Sequence, residues 1–86
     1  MKKIEIYTTN HCPFCAKAKS LLSKKKINFI EIDVSNNESL REKMSAMANG
    51  VRSVPQIFSD NVYVGDCDKI YKLDQEKKLD KLLGLE

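Results

Sequence analysis

The chain has 86 residues, of which 42% are hydrophobic and 31% charged, and its net charge is +3. This length accommodates one domain with a modest core, and the composition is that of a globular protein and not of a disordered or fibrous one. No run of about 20 apolar residues could span a membrane, and no apolar stretch of a signal peptide follows the first lysines. We therefore expect a single monomeric domain over residues 1–86, located in the cytoplasm, that binds neither a membrane nor a nucleic acid.

The N-terminal region begins with the period of a strand and then changes to that of a helix. Ile4 and Ile6 alternate with polar neighbours, which predicts a first strand. From Pro13 the apolar residues recur at helical spacing and predict a first helix that ends near Lys26. The apolar face of this helix is predicted to consist of Phe14, Ala18, Leu21 and Leu22.

A second strand and a second helix follow. Residues 28–34 alternate apolar with acidic positions and predict a strand, with one face made of Ile30, Ile32 and Val34. Three consecutive polar residues then offer an N-cap for a helix, namely Ser35, Asn36 and Asn37. Gly50 is predicted to end this helix. Its apolar face comprises Leu40, Met44, Met47 and Ala48.

The C-terminal half predicts a hairpin and then helix. Residues 56–59 and 62–65 are short apolar runs, and Asp60 and Asn61 between them tolerate the left-handed conformations of a two-residue turn. The remaining residues predict one or two short helices with Asp68 or Asp74 as a cap. The apolar positions of these helices are Ile70, Leu73, Leu79, Leu82 and Leu83.

The order of these elements predicts the class of the fold. A strand, a helix and a second strand form a right-handed unit in which the two strands run parallel, whereas the hairpin adds an antiparallel pair. We therefore predict an α/β fold with a mixed four-stranded sheet and helices on both faces.

Two cysteines lie where the first strand gives way to the first helix. Pro13 suits the first helical position, so Cys12 becomes the N-cap or its neighbour. Free backbone N–H groups and the helix dipole at that point favour a thiolate, which is the nucleophilic form of cysteine. Cys15 lies one turn into the helix and is predicted to be more covered. We therefore interpret Cys12 as an attacking thiolate and Cys15 as the thiol that resolves the resulting mixed disulfide.

A Cys-x-x-Cys pair also forms half of many zinc sites. A structural zinc ion requires four ligands, and the only other candidates are His11, which we expect to be an exposed turn residue, and the distant Cys67. We therefore expect no metal site.

Three segments of the chain share the features of one family: YTTNHCPFC at residues 7–15, SVPQIF at residues 53–58 and VGDCD at residues 64–68. Together they resemble the signature segments of dithiol glutaredoxins, and the resemblance spans nearly the whole chain. It implies a thioredoxin-like fold with strand order 2-1-3-4 and a cis peptide bond before Pro55. It also implies a glutathione-dependent oxidoreductase that reduces protein disulfides and glutathione mixed disulfides through Cys12 and Cys15.

The resemblance further implies a set of glutathione-binding residues. The Val54 backbone would pair with the cysteine moiety, and a backbone N–H at Cys67 and the Asp68 carboxylate would hold the γ-glutamyl end. Thr9 stands where a lysine is common and Arg52 offers a cation instead, while Phe14 replaces a tyrosine and Asp66 a glycine. The predicted set is Thr9, Phe14, Arg52, Ser53, Val54, Pro55, Cys67 and Asp68, with Cys67 expected to be half-buried.

By the same resemblance the co-substrate is glutathione and the partners are disulfide-bonded or glutathionylated proteins, with ribonucleotide reductase as a family-level candidate. Two alternatives remain open. One is a thioredoxin-like protein fed by a flavoprotein reductase, against which the Pro-Phe pair between the cysteines and the 65–68 segment argue. The other is a carrier that holds an iron–sulfur cluster between two protomers through Cys12 and glutathione, against which Pro13 argues.

Overall fold

The computed structural model describes residues 2–85, which form a single mixed sheet with helices on both of its faces. In chain order the elements are β1 (Ile4–Thr8), α1 (Pro13–Lys24), β2 (Phe29–Asp33), α2 (Glu38–Met47), β3 (Gln56–Ser59), β4 (Val62–Gly65), α3 (Cys67–Gln75) and α4 (Leu79–Leu82). The strand order is β2-β1-β3-β4, with β1 parallel to β2 and the other two pairs antiparallel. The predicted α/β class, strand order and thioredoxin-like arrangement are confirmed.

Two hydrophobic cores lie on opposite faces of the sheet. The larger contains Ile4 and Ile6 of β1 together with the apolar faces of α1, α3 and α4. The smaller contains Tyr7 and Phe58 packed edge to face, with Met44 and Ala48 of α2 against them. Because helices cover both faces, the central strand β1 buries consecutive residues, Tyr7 and Thr8, and not only alternate ones.

The edge strand β2 is more exposed to solvent than its alternation of apolar and acidic residues suggests. Ile32 packs against the smaller core, but Ile30 on the same predicted face is 50% exposed. Val34 is buried although it lies one residue beyond the strand. Ile30 is open to solvent because a strand at the edge of a sheet has a neighbour on one side alone.

The hairpin turn and the two ends of α2 form as predicted. Asp60 and Asn61 both have positive φ, 49° and 66°, as a two-residue hairpin turn requires. Asn37 caps α2, since its side chain accepts a hydrogen bond from the Leu40 N–H at 3.1 Å. Helix α2 ends just before two left-handed residues, Asn49 and Gly50.

Helix α1 packs on the larger core through Ala18, Leu21 and Leu22, as predicted. Phe14 does not share this burial and is 59% exposed, whereas Cys15 is 2% exposed and takes its place in the interior. The prediction was wrong at Phe14 because this residue lies on the side of the first turn of α1 that borders a surface groove. The helix ends at Lys24, and Lys26 adopts a left-handed conformation.

Within residues 2–85 no helix combines the length and the apolar character that a membrane crossing requires.

Candidate active site

Cys12 is the N-cap of α1. Its backbone is extended, Pro13 follows as the first helical residue, and its Sγ accepts a hydrogen bond from the Cys15 N–H at 3.1 Å. The sulfur is half-buried and lies at the positive end of the helix. The predicted N-cap position of Cys12 is confirmed, and it offers the sulfur a backbone donor and the positive end of the helix dipole. His11 just before it is an exposed turn residue with a φ of 54°.

Cys15 has the opposite environment. It is buried, and this burial, a hydrogen bond with the Cys12 side chain and the Cys12 charge together raise the pKa of the Cys15 thiol well above its usual value. A backbone hydrogen bond from Thr9 and the charge of Lys19 act in the other direction with smaller effect. Since a buried thiol is a poor nucleophile, the pair is asymmetric: Cys12 is half-buried, whereas Cys15 is buried and held as a thiol.

A groove of about 190 Å³ lies beside Cys12. It is lined by Phe14, Ser53, Val54, Pro55, Asp66, Cys67 and Asp68, which come from three separate segments of the chain. The Val54–Pro55 peptide bond is cis, and the Val54 carbonyl oxygen lies 3.9 Å from the Cys12 Sγ. Six of the eight residues that the family resemblance implied therefore line one groove, and Val54 places that groove next to Cys12.

Thr9 and Arg52 are the two implied residues that do not line this groove. The Arg52 guanidinium pairs with the Glu38 carboxylate at the start of α2, and both side chains are at least half exposed. Thr9 lines a different cavity, which Cys12 also borders. Arg52 is thus separated from the other implied residues by its ion pair with Glu38, and Thr9 by its place at another cavity.

Asp66, and neither Asp68 nor Asp74, caps α3. Its side chain accepts a hydrogen bond from the Lys69 N–H at 2.9 Å. The prediction was wrong because β4 ends at Gly65 and the chain turns into the helix at once, so the extended cap position falls on residue 66. Asp68 is exposed in the first helical turn, where it borders the groove, and Asp74 inside α3 pairs with Lys25.

Cys67 is 3% exposed, and thus more buried than the half-buried residue we predicted. Its side chain belongs to the larger core, and burial raises the pKa of its thiol. This environment suits a packing residue. All three cysteines are free thiols in this structure.

Gln56 stabilises the groove wall through hydrogen bonds, a role that the sequence did not reveal. Its side chain is fully buried; Nε2 donates to the Ser53 carbonyl oxygen at 2.9 Å, and Oε1 accepts from the Tyr63 hydroxyl at 2.7 Å. These bonds tie the groove wall at Ser53 to β3 and β4. The only signal in the sequence is a polar residue at the start of an apolar run.

We expect Gln56→Leu to lower the free energy of unfolding by about 1–3 kcal/mol, because it removes two partly buried hydrogen bonds while nearly preserving the side-chain volume. Urea denaturation measures this loss. The matched control is Gln75→Leu at the exposed end of α3, for which we expect a change below about 0.5 kcal/mol. Equal effects of the two substitutions would show that Gln56 does not support the groove wall.

A larger cavity, of about 590 Å³, is lined in part by Cys12 itself. Cys12 and Cys15 both border it, as do Lys19 of α1 and Glu31 of β2. The Glu31 Oε2 accepts from the Thr8 hydroxyl at 2.8 Å and from the Lys19 ammonium at 3.0 Å, and these bonds lower the pKa of Glu31. The sequence analysis did not identify this network, although Lys19 follows Cys15 by four residues and so shares its side of the helix.

Among residues 2–85 no group of three or more histidine, cysteine, aspartate or glutamate side chains is arranged to hold a metal ion.

The chain is similar to members of one family over most of its length. The family model for glutaredoxin matches residues 4–64. A probable glutaredoxin of Synechocystis sp. is 52% identical over 81 residues, which cover 94% of this chain and 92% of that protein. The solution structure of a glutaredoxin from Brucella melitensis is 47% identical, with a TM-score of 0.85 over 96% of this chain and 89% of its own. A buckwheat glutaredoxin in complex with glutathione is similar in fold, with a TM-score of 0.87 at 19% identity over 96% of this chain and 77% of its own.

Proposed function

Because this chain belongs to the glutaredoxin family, and is by that membership a thiol–disulfide oxidoreductase, we propose that its reducing co-substrate is glutathione. We further propose that it reduces protein disulfides and glutathione mixed disulfides through Cys12 and Cys15. The observation that carries the proposal is a groove lined by Val54, whose carbonyl oxygen lies 3.9 Å from the Cys12 Sγ, and by residues at the start of α3.

The groove offers groups that suit the cysteine and γ-glutamyl parts of glutathione. The Val54 backbone lies beside the Cys12 sulfur, where the cysteine moiety of glutathione must be placed for reaction. At the other end, the free N–H groups at the start of α3 suit the γ-glutamyl carboxylate, and the Asp68 carboxylate suits its ammonium. The exposed Phe14 ring provides an apolar wall. The buckwheat protein, which has a similar fold, is in complex with glutathione, and this supports the proposal of glutathione as the ligand.

The chemistry follows from the asymmetry of the two cysteines. The Cys12 thiolate attacks the glutathione sulfur of a mixed disulfide, a Cys12–glutathione disulfide forms, and the substrate thiolate leaves and takes up a proton. A second glutathione thiolate then attacks the bound glutathione sulfur, which releases oxidised glutathione and restores Cys12. With a protein disulfide, the Cys12 thiolate first forms a mixed disulfide with one protein sulfur and releases the other as a thiolate. Cys15 then loses its proton and attacks the Cys12 Sγ, the second protein sulfur leaves and takes up a proton, and two glutathione molecules later reduce the Cys12–Cys15 disulfide.

The proposal predicts that Asp68→Asn raises the KM for glutathione about three- to tenfold with a smaller change in kcat, since a partly exposed charged hydrogen bond to the ammonium is lost. Steady-state kinetics with varied glutathione measure both constants. Glu42→Gln makes the same change of charge on the exposed surface of α2 and is expected to leave the KM unaltered. An unchanged KM in Asp68→Asn would remove this residue from the glutathione site.

A further inference from the structure

The dithiol shares the lining of the larger cavity with several polar and charged groups. These groups are the Lys19 ammonium on α1, the Glu31 and Asp33 carboxylates on β2, and the His11 imidazole in the preceding turn. Lys19 lies one helical turn after Cys15, and its charge favours ionisation of the Cys15 thiol. The anion of Cys12 opposes that ionisation.

The position of the Lys19 side chain is fixed by its neighbours. Its ammonium donates to the Glu31 Oε2 at 3.0 Å, and the same oxygen accepts from the hydroxyl of Thr8, a residue that is 1% exposed. Asp33 is engaged elsewhere, because its Oδ1 accepts from the Ser35 N–H at 2.8 Å. The ion pair with Glu31 therefore places the Lys19 ammonium at the cavity that Cys12 and Cys15 also border.

We infer that Lys19 is a positioning residue for the resolving half of the reaction, in which its ammonium stabilises the developing sulfur anion of Cys15. The inference rests on the proposed function, because it assigns a role in the second step of the same dithiol chemistry.

The resolving step changes the charges around Cys15. Once Cys12 is part of a mixed disulfide its anion no longer exists, so the hydrogen bond and the charge that held the Cys15 proton are removed. Burial still opposes ionisation, and Lys19 favours it. The Cys15 thiol gives its proton to water, its sulfur bonds to the Cys12 Sγ, the bond from Cys12 to the outgoing sulfur breaks, and the outgoing thiolate takes up a proton.

The test uses the full chain in its reduced form and an aromatic disulfide whose released thiolate is coloured. Stopped-flow absorbance then shows two phases: attack by Cys12 releases one thiolate, and resolution by Cys15 releases the second. We expect Lys19→Gln to slow the second phase about three- to tenfold at neutral pH and to displace its pH profile to higher pH, because loss of a nearby cation disfavours the thiolate. The first phase is expected to change by less than about twofold.

Two further variants distinguish charge from shape. Lys19→Arg keeps the cation and is expected to restore the wild-type pH profile, whereas Lys24→Gln removes an exposed cation at the end of the same helix and is expected to leave both phases unchanged. The inference is overturned if the second-phase profiles of Lys19→Gln and the wild type coincide, or if Lys19→Arg behaves as Lys19→Gln does. Failure of the proposed function is a separate result, since it appears as absent glutathione-coupled turnover in the wild type while both phases persist.

Discussion

Replacement of Cys12 with serine is expected to abolish turnover, with a loss of about a thousandfold or more in the rate of glutathione-coupled disulfide reduction. The Cys12 sulfur lies at the positive end of α1 and borders the groove through Val54. Cys15 cannot replace it, because burial holds its pKa high and keeps it a thiol. A serine hydroxyl at position 12 remains protonated at neutral pH and cannot form the mixed disulfide.

The measurement is the oxidation of NADPH by glutathione reductase, coupled to a small disulfide substrate. Circular dichroism of the serine variant controls for folding, and we expect an unchanged spectrum because the substitution exchanges sulfur for oxygen at an N-cap, a position that serine also suits. A well-folded Cys12→Ser protein with more than about a tenth of the wild-type rate would contradict the assignment of the nucleophile.

Replacement of Cys15 with serine is expected to separate two activities. Removal of glutathione from a glutathionylated protein needs only Cys12 and a second glutathione molecule, so we expect its rate to stay within about threefold of the wild type. Reduction of a protein disulfide needs Cys15 to release the bound protein, and we expect that rate to fall about a hundredfold or more.

The two activities are measured on the same variant, one with a glutathionylated peptide and the other with a disulfide-bonded protein. The trapped product is a further readout, since the Cys15→Ser protein should accumulate a covalent complex with the disulfide substrate that mass spectrometry detects. If Cys15→Ser lost both activities equally, the division of roles between the two thiols would be wrong.

Much of the architecture could be predicted because its signals are local. The turn at Asp60 and Asn61 lies between two short apolar runs, so the hairpin follows from adjacent residues. The N-cap position of Cys12 likewise depends on Pro13 directly after it. In each case the residues that determine the structure are neighbours in the sequence.

The differences between prediction and structure have non-local causes. Helical spacing groups Phe14 with Ala18, but it does not show that the tertiary structure leaves Phe14 exposed to solvent. Gln56 reads as a strand residue, and its role at the groove depends on a hydroxyl across the hairpin. Lys19 and Glu31 meet because α1 packs beside β2, and neither residue alone signals that contact.

Of the residues predicted to bind glutathione, the structure brings most together and leaves others apart. Phe14, Val54 and Asp68 come together because three motifs, separate in the sequence, meet at one end of the sheet. Arg52 is adjacent to one of these motifs, yet its ion pair with Glu38 holds the guanidinium outside the groove. Adjacency in the sequence therefore identified the loop but not the direction of its side chain.

The most direct test of the central claim is a comparison of electron donors with the unmodified protein and 2-hydroxyethyl disulfide as the substrate. We predict turnover with glutathione, glutathione reductase and NADPH that saturates as glutathione is raised, and no turnover above background when thioredoxin reductase and NADPH replace them. Turnover with thioredoxin reductase, and none with glutathione, would contradict the proposed function.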